Sequence, residues 1–262
     1  MTERIATRLF VEDDLAAGQS VGLDRERAHF LRSVLRLAPG AALALFNGRD
    51  GEWLARLETL GKGWASVVVE SRRRPQVAEP DLWLVFAPIK RARIDFVAEK
   101  ASELGCALLQ PVLTRFTAVE RVNVQRLAAN AREAAEQCER LSVPEVREPV
   151  ALDRLLGDWG GLNPDGERLL VMADEGGAHD RSLPPLAAAI RAAVRPPADA
   201  GLPPQRWALL IGPEGGFAEP ERELLAGLPF VVRGTLGPRL LRADTAAVAG
   251  LALLQSEAGD WR

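Results

Sequence analysis

The chain has 262 residues, 47% of them hydrophobic and 26% charged, with a formal net charge of −3. That is enough apolar material for one large domain or two ordinary ones, and the slight acidity excludes an indiscriminate nucleic-acid binder, so such a partner has to be met by a local patch. No run approaches the ~18 apolar residues of a membrane span, and the start Met1-Thr2-Glu3-Arg4 carries no signal-peptide core, so the expected location is the cytoplasm. Two cysteines, Cys106 and Cys138, lack Cys-x-x-Cys spacing and are joined by only two histidines. This argues against a metal site and reads as small buried thiols in a reducing compartment. Arginine supplies 30 of the 33 basic residues; it suits phosphate, but a GC-rich genome produces the same bias, so little weight rests on it.

In chain order, Arg8–Val11, Ala41–Leu45, Trp53–Leu57 and Ala65–Val69 read as strands, with turns at Asn47-Gly48, Asp50-Gly51 and Gly61-Lys62-Gly63. A helix is expected over Arg25–Leu37. Its 100° periodicity gathers Arg25, His29, Arg32 and Arg36 on one face, opposite Phe30, Leu31, Val34, Leu35 and Leu37. That face is either an ordinary solvated one or a phosphate-contacting stripe, to which Arg8 and Arg72–Arg74 could add. The charged, proline-bearing stretch from Arg72 to Pro80 suggests a boundary, giving domains over 1–74 and 75–262. Residues 1–80 carry a net charge of +1 and the remainder −4.

Beyond the boundary, strands and helices alternate. Strands are expected at Leu82–Ala87, Ala107–Val112, Leu169–Ala173, Trp207–Ile211 and Phe230–Val232. Helices are expected at Arg93–Leu104, Gln125–Leu141, Glu219–Ala226 and Thr245–Gln255. Unbroken apolar strands between helices imply a mostly parallel sheet covered on both faces, hence an α/β domain. On the long helix, Leu127, Ala131, Ala134, Cys138 and Leu141 form a core stripe. The proline-rich stretch Arg181–Gln205 reads as a helix and a variable loop without chemistry.

Two glycine-bearing turns stand out, Ile211-Gly212-Pro213-Glu214-Gly215-Gly216-Phe217 and Leu236-Gly237-Pro238-Arg239-Leu240-Leu241-Arg242-Ala243-Asp244-Thr245-Ala246. Each follows an apolar run and precedes a helix, so bare backbone is offered to a ligand at two strand ends. The first turn lacks the lysine and hydroxyl of a P-loop and the Gly-x-Gly-x-x-Gly order of a dinucleotide turn, which disfavours a phosphate cradle. Arg242, Asp244 and Thr245 open the last helix. Asp244 or Thr245 can be its N-cap, and Arg242 with Asp244 can orient a polar substrate or manage a proton.

Taken together, these segments resemble the RsmE family of 16S ribosomal RNA uridine-N3 methyltransferases, in the SPOUT superfamily. The blocks that carry the resemblance are Arg8-Leu9-Phe10, His29–Arg36 with Pro39-Gly40, Lys100–Gly105, Pro111–Arg115, Glu136–Arg140 with Val143-Pro144, and the two glycine turns. The resemblance implies an N-terminal PUA-like β-barrel for RNA and a C-terminal α/β domain with a trefoil knot and a mostly parallel sheet. It further implies S-adenosyl-L-methionine as methyl donor, a homodimer, 16S rRNA or the small ribosomal subunit as partner, and no metal or membrane. Ile211, Gly212, Pro213, Glu214, Gly215 and Gly216 would form one wall of the cofactor pocket, and Leu236, Gly237, Leu240 and Leu241 another, with Met172 as a looser member. Arg242 and Asp244 would stand nearest the methyl group and target base, and Arg8, His29, Arg32 and Arg36 would contact RNA. Two departures from the family pattern are visible. Its Thr-Glu-Thr-Ala is Ala243-Asp244-Thr245-Ala246 here, and its Gly in Glu-Gln-x-Gly-Arg is Glu139. The alternatives are a related RNA methyltransferase with a different target nucleotide, or a non-catalytic RNA-binding assembly factor.

Overall fold

The structure, a computed structural model, describes residues 4–119, 121–164, 168–174, 182–195 and 205–261. It divides into two compact units, Met1–Ala78 with Ala135–Val143, and Glu79–Ala134 with Pro144–Arg262.

The first unit is built on β1 (Arg8–Phe10), β2 (Ser20–Leu23), β3 (Ala42–Phe46), β4 (Glu52–Leu60) and β5 (Ala65–Arg74). These form one sheet in the order β1-β3-β4-β5-β2, parallel between β1 and β3 and antiparallel elsewhere. Alternation along β5 turns Ala65, Val67 and Val69 inward against Leu9, Val21, Leu31, Leu43, Leu45 and Leu57. In β3 all five residues are buried, because Phe46 on its other face packs against Ala135 and Leu141. This contact, with Arg8, explains why the distant segment 135–143 groups with the N-terminal residues, an addition that a single boundary near residue 74 does not contain.

Two expected helices end differently from their periodicity. Over Arg25–Leu37 the chain is α-helical only in α1 (Arg25–His29) and continues as a π-helical segment at Phe30–Val34, where the Leu35 N–H donates to the Phe30 carbonyl. The wider turn rotates side chains off the 100° spacing, and Arg36 falls beyond it with φ of 54°. The helix expected over Gln125–Leu141 stops at Gln137, since Glu139 adopts φ of 65°. Cys138 therefore leaves the core stripe and is exposed, correcting its buried reading, whereas Cys106 is buried.

The second unit contains β6 (Leu82–Phe86), α2 (Arg91–Glu103), β7 (Leu108–Leu113), β8 (Glu145–Val146), β9 (Val150–Ala151), β10 (Arg168–Ala173), β11 (Arg206–Ile211) and β12 (Val231–Gly234). Most of α3 (Val124–Gln137) also belongs to it, with α4 (Leu152–Gly157), α5 (Trp159–Leu162), α6 (Leu186–Ala193), α7 (Glu219–Ala226) and α8 (Ala243–Ala258). Among the described residues its sheet has seven strands, in the order β12-β10-β11-β6-β7-β8 with β9 on β7, and every pairing is parallel. Residue parity sorts the two faces. Leu82, Leu84, Phe86, Val171, Leu209 and Ile211 pack under α2, α6 and α8, whereas Trp83, Val85, Leu170, Met172, Ala208 and Leu210 pack with α4, α5 and α7. Burial of both faces is why these strands read as unbroken apolar runs. Of the proline-rich stretch Arg181–Gln205, residues 181 and 196–204 lie outside the described residues.

Candidate functional site

In the parallel register, Ala173 pairs with Gly234, Met172 with Leu210, and Ile211 with Phe86. The C-terminal ends of β10, β11, β12 and β6 are therefore nearly level, and the connections leaving them share one edge of the sheet. This is where open α/β sheets place their ligands. A pocket of about 560 Å³ opens there. One wall is Ile211, Gly212, Pro213, Glu214 and Gly216 after β11; the other is Leu236, Gly237, Leu240, Leu241 and Arg242 after β12. The N-terminal end of α2 contributes Lys90 and Arg93, and Ala118 and Val119 follow β7.

The glycines have local work here. Gly216 and Gly237 stand at φ of 70° and 107°, a backbone that side chains resist. Gly216 closes a turn by donating from N to the Pro213 carbonyl at 2.9 Å. A Cβ on Gly212 would meet the Phe217 ring at 2.9 Å, so the first wall is backbone packed against an aromatic. In the second turn the Thr235 hydroxyl accepts from the Gly237 N–H at 3.2 Å, which pins the glycine at the strand exit.

Beneath the walls sits Asp174, the residue directly after β10, which lines the pocket while its side chain is fully withdrawn from water. Its carboxylate accepts from Arg233 at 2.7 Å and pairs with Arg222 at 3.0 Å. Lys90, Arg93, Arg239 and Arg242 outnumber Asp174 and Glu214 among the charged residues of the lining. The lining thus combines open main chain, apolar side chains and a cationic excess, which suits a small zwitterionic ligand beside a nucleophile that becomes anionic.

The structure brings ten of the expected residues to this pocket and leaves three out. Gly215 does not line it; a Cβ there would lie 3.3 Å from the Phe116 Cβ, so it serves the turn's packing. Met172 is completely buried on the opposite sheet face, and the next two residues, Ala173 and Asp174, line the pocket instead. The pocket begins at the last residue of the strand, one position beyond Met172. Asp244 lies in the first turn of α8, where its carboxylate accepts from the Thr245 N–H at 2.9 Å and faces Arg93 at 3.8 Å. Arg93, not Asp244, lines the pocket, and Arg242 is the N-cap residue of α8 without a side-chain capping bond.

The expected RNA contacts also separate. Arg8 is only 9% exposed and its guanidinium is spent internally. It donates to Glu52 at 2.7 Å, to the carbonyls of Ala135, Glu136 and Arg140, and it stacks over the Phe46 ring. Arg8 is thus a structural anchor, and Arg73 and Arg74 likewise turn to Glu52. His29 lines a surface depression with Arg25, Glu26 and Lys62, and Arg32 donates to the Gly61 carbonyl at 3.3 Å. Arg36 is exposed beyond the π-helical segment. Sequence reasoning missed Asp174, Lys90, Arg93 and Thr235; the available signal was their place just after apolar strands that end on one edge.

Residues 77–255 match the RNA methyltransferase domain family and residues 23–70 the RNA methyltransferase PUA domain. A ribosomal RNA small subunit methyltransferase E from Rickettsia conorii is 29% identical over 246 residues, covering 94% of this chain and 93% of that protein. The chain belongs to the RsmE family of RNA methyltransferases. Among solved relatives in this family, the small subunit methyltransferase E of Neisseria gonorrhoeae, bound to S-adenosyl methionine, superposes with a TM-score of 0.77 at 26% identity. That match covers 98% of this chain and 99% of the other. A methyltransferase from Legionella pneumophila, in complex with the cofactor SAM, matches with a TM-score of 0.77 at 29% identity over 97% of this chain and 98% of the other. Among the described residues no group of three or more His, Cys, Asp or Glu is placed to hold a metal ion, and no helix is long and apolar enough to cross a membrane.

Proposed function

We propose that this protein is an S-adenosyl-L-methionine-dependent methyltransferase that methylates N3 of one uridine in 16S rRNA. The observation that carries the proposal is the pair of glycine turns on level strand ends, opening main chain onto a pocket rimmed by Arg242. Gly212, Pro213 and Gly216 would hold one side of the cofactor, and Leu236, Gly237 and Leu241 the other. The positive φ of Gly237 and the close approach of Phe217 to Gly212 fit such a backbone cradle.

When bound, the cofactor supplies a methyl group on a sulfonium, already an activated leaving group. Uridine N3 carries a proton and is a poor nucleophile until it loses it to solvent water. Arg242, with Arg93 and Lys90 nearby on the lining, favours the anionic base electrostatically. Asp244, held by Arg93 at the pocket's border, is placed to orient that arginine rather than to take the proton directly. Positioning N3 in line with the methyl group can supply roughly 7–11 kcal/mol in the best intramolecular analogues, so geometry carries more of the barrier than acid–base help.

The proposal includes residues 1–74 as the RNA-binding domain and 75–262 as the methyltransferase domain with a trefoil knot. It also includes a cytoplasmic homodimer, which the exposed Phe96, Phe116, Leu224 and Leu240 of the second unit support as apolar surface left for a partner. Two measurements test it: calorimetric titration with S-adenosyl-L-methionine, and mapping of the modified base in small-subunit rRNA incubated with the protein. Saturable cofactor binding and a single N3-methyluridine are expected. A different modified nucleotide, or RNA binding without cofactor binding, overturns it.

A further inference from the structure

The β4–β5 turn of the first unit leaves an indole in water. Trp64 is 54% exposed although it closes the hairpin, with the Gly61 N–H donating to its carbonyl at 2.8 Å. Its ring lies over Gly61, where a Cβ would meet Nε1 at 2.7 Å. The glycine thus lets the ring lie against the backbone, with much of it facing solvent. Cations surround the same turn. Arg32 donates to the Gly61 carbonyl, and Lys62 shares a surface depression with Arg25 and His29, where Glu26 is the one carboxylate.

A held, half-exposed indole beside basic side chains is the arrangement by which proteins stack an unpaired base and keep its phosphates close. We propose that Trp64 is a stacking platform for an unpaired RNA base, with Lys62, Arg25 and His29 binding the flanking phosphates. The proposal rests on RNA being the substrate and adds what the first unit selects: single-stranded nucleotides over duplex, because bases already stacked in a helix cannot reach the ring.

The test uses the full-length protein and two fluorescent RNAs, an unstructured eight-nucleotide oligouridylate and a blunt duplex, followed by anisotropy. Trp64→Ala is expected to weaken oligouridylate binding about tenfold, as loss of one stacked base does, and to leave the duplex unchanged. Trp64→Phe, which keeps a π face, should retain most of the affinity, whereas Trp64→Leu, which only covers Gly61, should not. Lys62→Ala should weaken both RNAs and lower the salt dependence by about one counterion. Parental binding of oligouridylate by the alanine and leucine variants overturns the proposal, as does an equal loss on both RNAs. Should the alanine variant fail to fold, the phenylalanine and leucine pair still decides. Cofactor titration and rRNA mapping are independent of Trp64. If they hold while the Trp64 variants bind like the parent, only the stacking site falls; if they fail, the proposed activity falls first.

Discussion

Glu52 in the first unit and Asp174 in the second are both carboxylates buried among arginines. Glu52 is 2% exposed and accepts from Arg8, Arg73 and Arg74; Asp174 is likewise enclosed and accepts from Arg222 and Arg233. Glu52 and its partner Arg8 tie strands β4, β5 and β1 to the segment 135–143 and do not line the pocket at the sheet edge. Asp174 stands one residue past a parallel strand and lines the pocket at the C-terminal edge of the sheet. The chemistry of the two clusters is the same, and their places in the topology assign one to architecture and the other to the site. A buried ion cluster becomes a functional candidate through the strand ends it occupies.

The contrast can be broken by paired substitution. Glu52→Ala and Asp174→Ala each strand buried or half-buried guanidinium groups and are expected to cost about 3–5 kcal/mol of unfolding free energy by denaturant titration. Only Asp174→Ala should also impair the folded protein, lowering kcat/KM for methyl transfer about 100-fold through misplacement of the pocket floor. If folded Glu52→Ala protein loses as much activity per molecule, the division of labour is wrong.

Within the site, Arg242→Ala should slow single-turnover methylation about 100-fold or more, the scale of losing one fixed electrostatic contact, while Asp244→Asn should stay within about tenfold. The reverse order would return proton handling to Asp244.

The pH dependence sharpens the same comparison from the architectural side. Burial pushes the Glu52 carboxyl up, but the hydrogen bonds from Arg74 and Arg8 and their charges outweigh it and hold the group below its ordinary value. A depressed folded value means that its contribution is complete above the unfolded carboxylate range and is lost as pH falls through the folded value. The stability gap between the parent and Glu52→Gln should therefore be widest near neutrality and narrow below about pH 4.5, measured by urea unfolding at stepped pH. A constant gap would mean that the carboxylate's charge is not what Arg8 and Arg74 recognise.

The smallest effect concerns Glu139. Its φ of 65° places an ordinary side chain in the left-handed region, where its carbonyl accepts from Arg74 at 3.0 Å. The family's glycine at this position is thus explained by backbone conformation. Glu139→Gly should raise stability by about 0.5–1 kcal/mol, the left-handed cost less the glycine's extra unfolded entropy, and leave activity unchanged. Thermal unfolding checks both the sign and the size.

Much of the second unit was legible because its signals are local. Apolar runs over Leu82–Ala87 and Trp207–Ile211 announced doubly covered strands, and the glycine turns announced where backbone would be open. The first unit was less legible. The π-helical segment at Phe30–Val34 has no periodicity of its own, and Arg8 reads as a surface base until its partners at 135–140 are brought to it. Met172 was misplaced for a narrower reason, since the residue at which a strand meets the pocket is set by its pairing with distant strands and not by its own apolar run.

The amino-acid sequence by itself determined the main strands and helices of the second unit, the parallel α/β class, the two glycine turns and the family, because each depends on neighbours within a few residues or on motif order. Only the tertiary structure decided that Asp174, Lys90 and Arg93 join those turns, that Arg8 is an anchor, and that segment 135–143 returns to the first unit. Those facts depend on strand order, register and side-chain parity, and these are set by pairings between residues far apart in the chain.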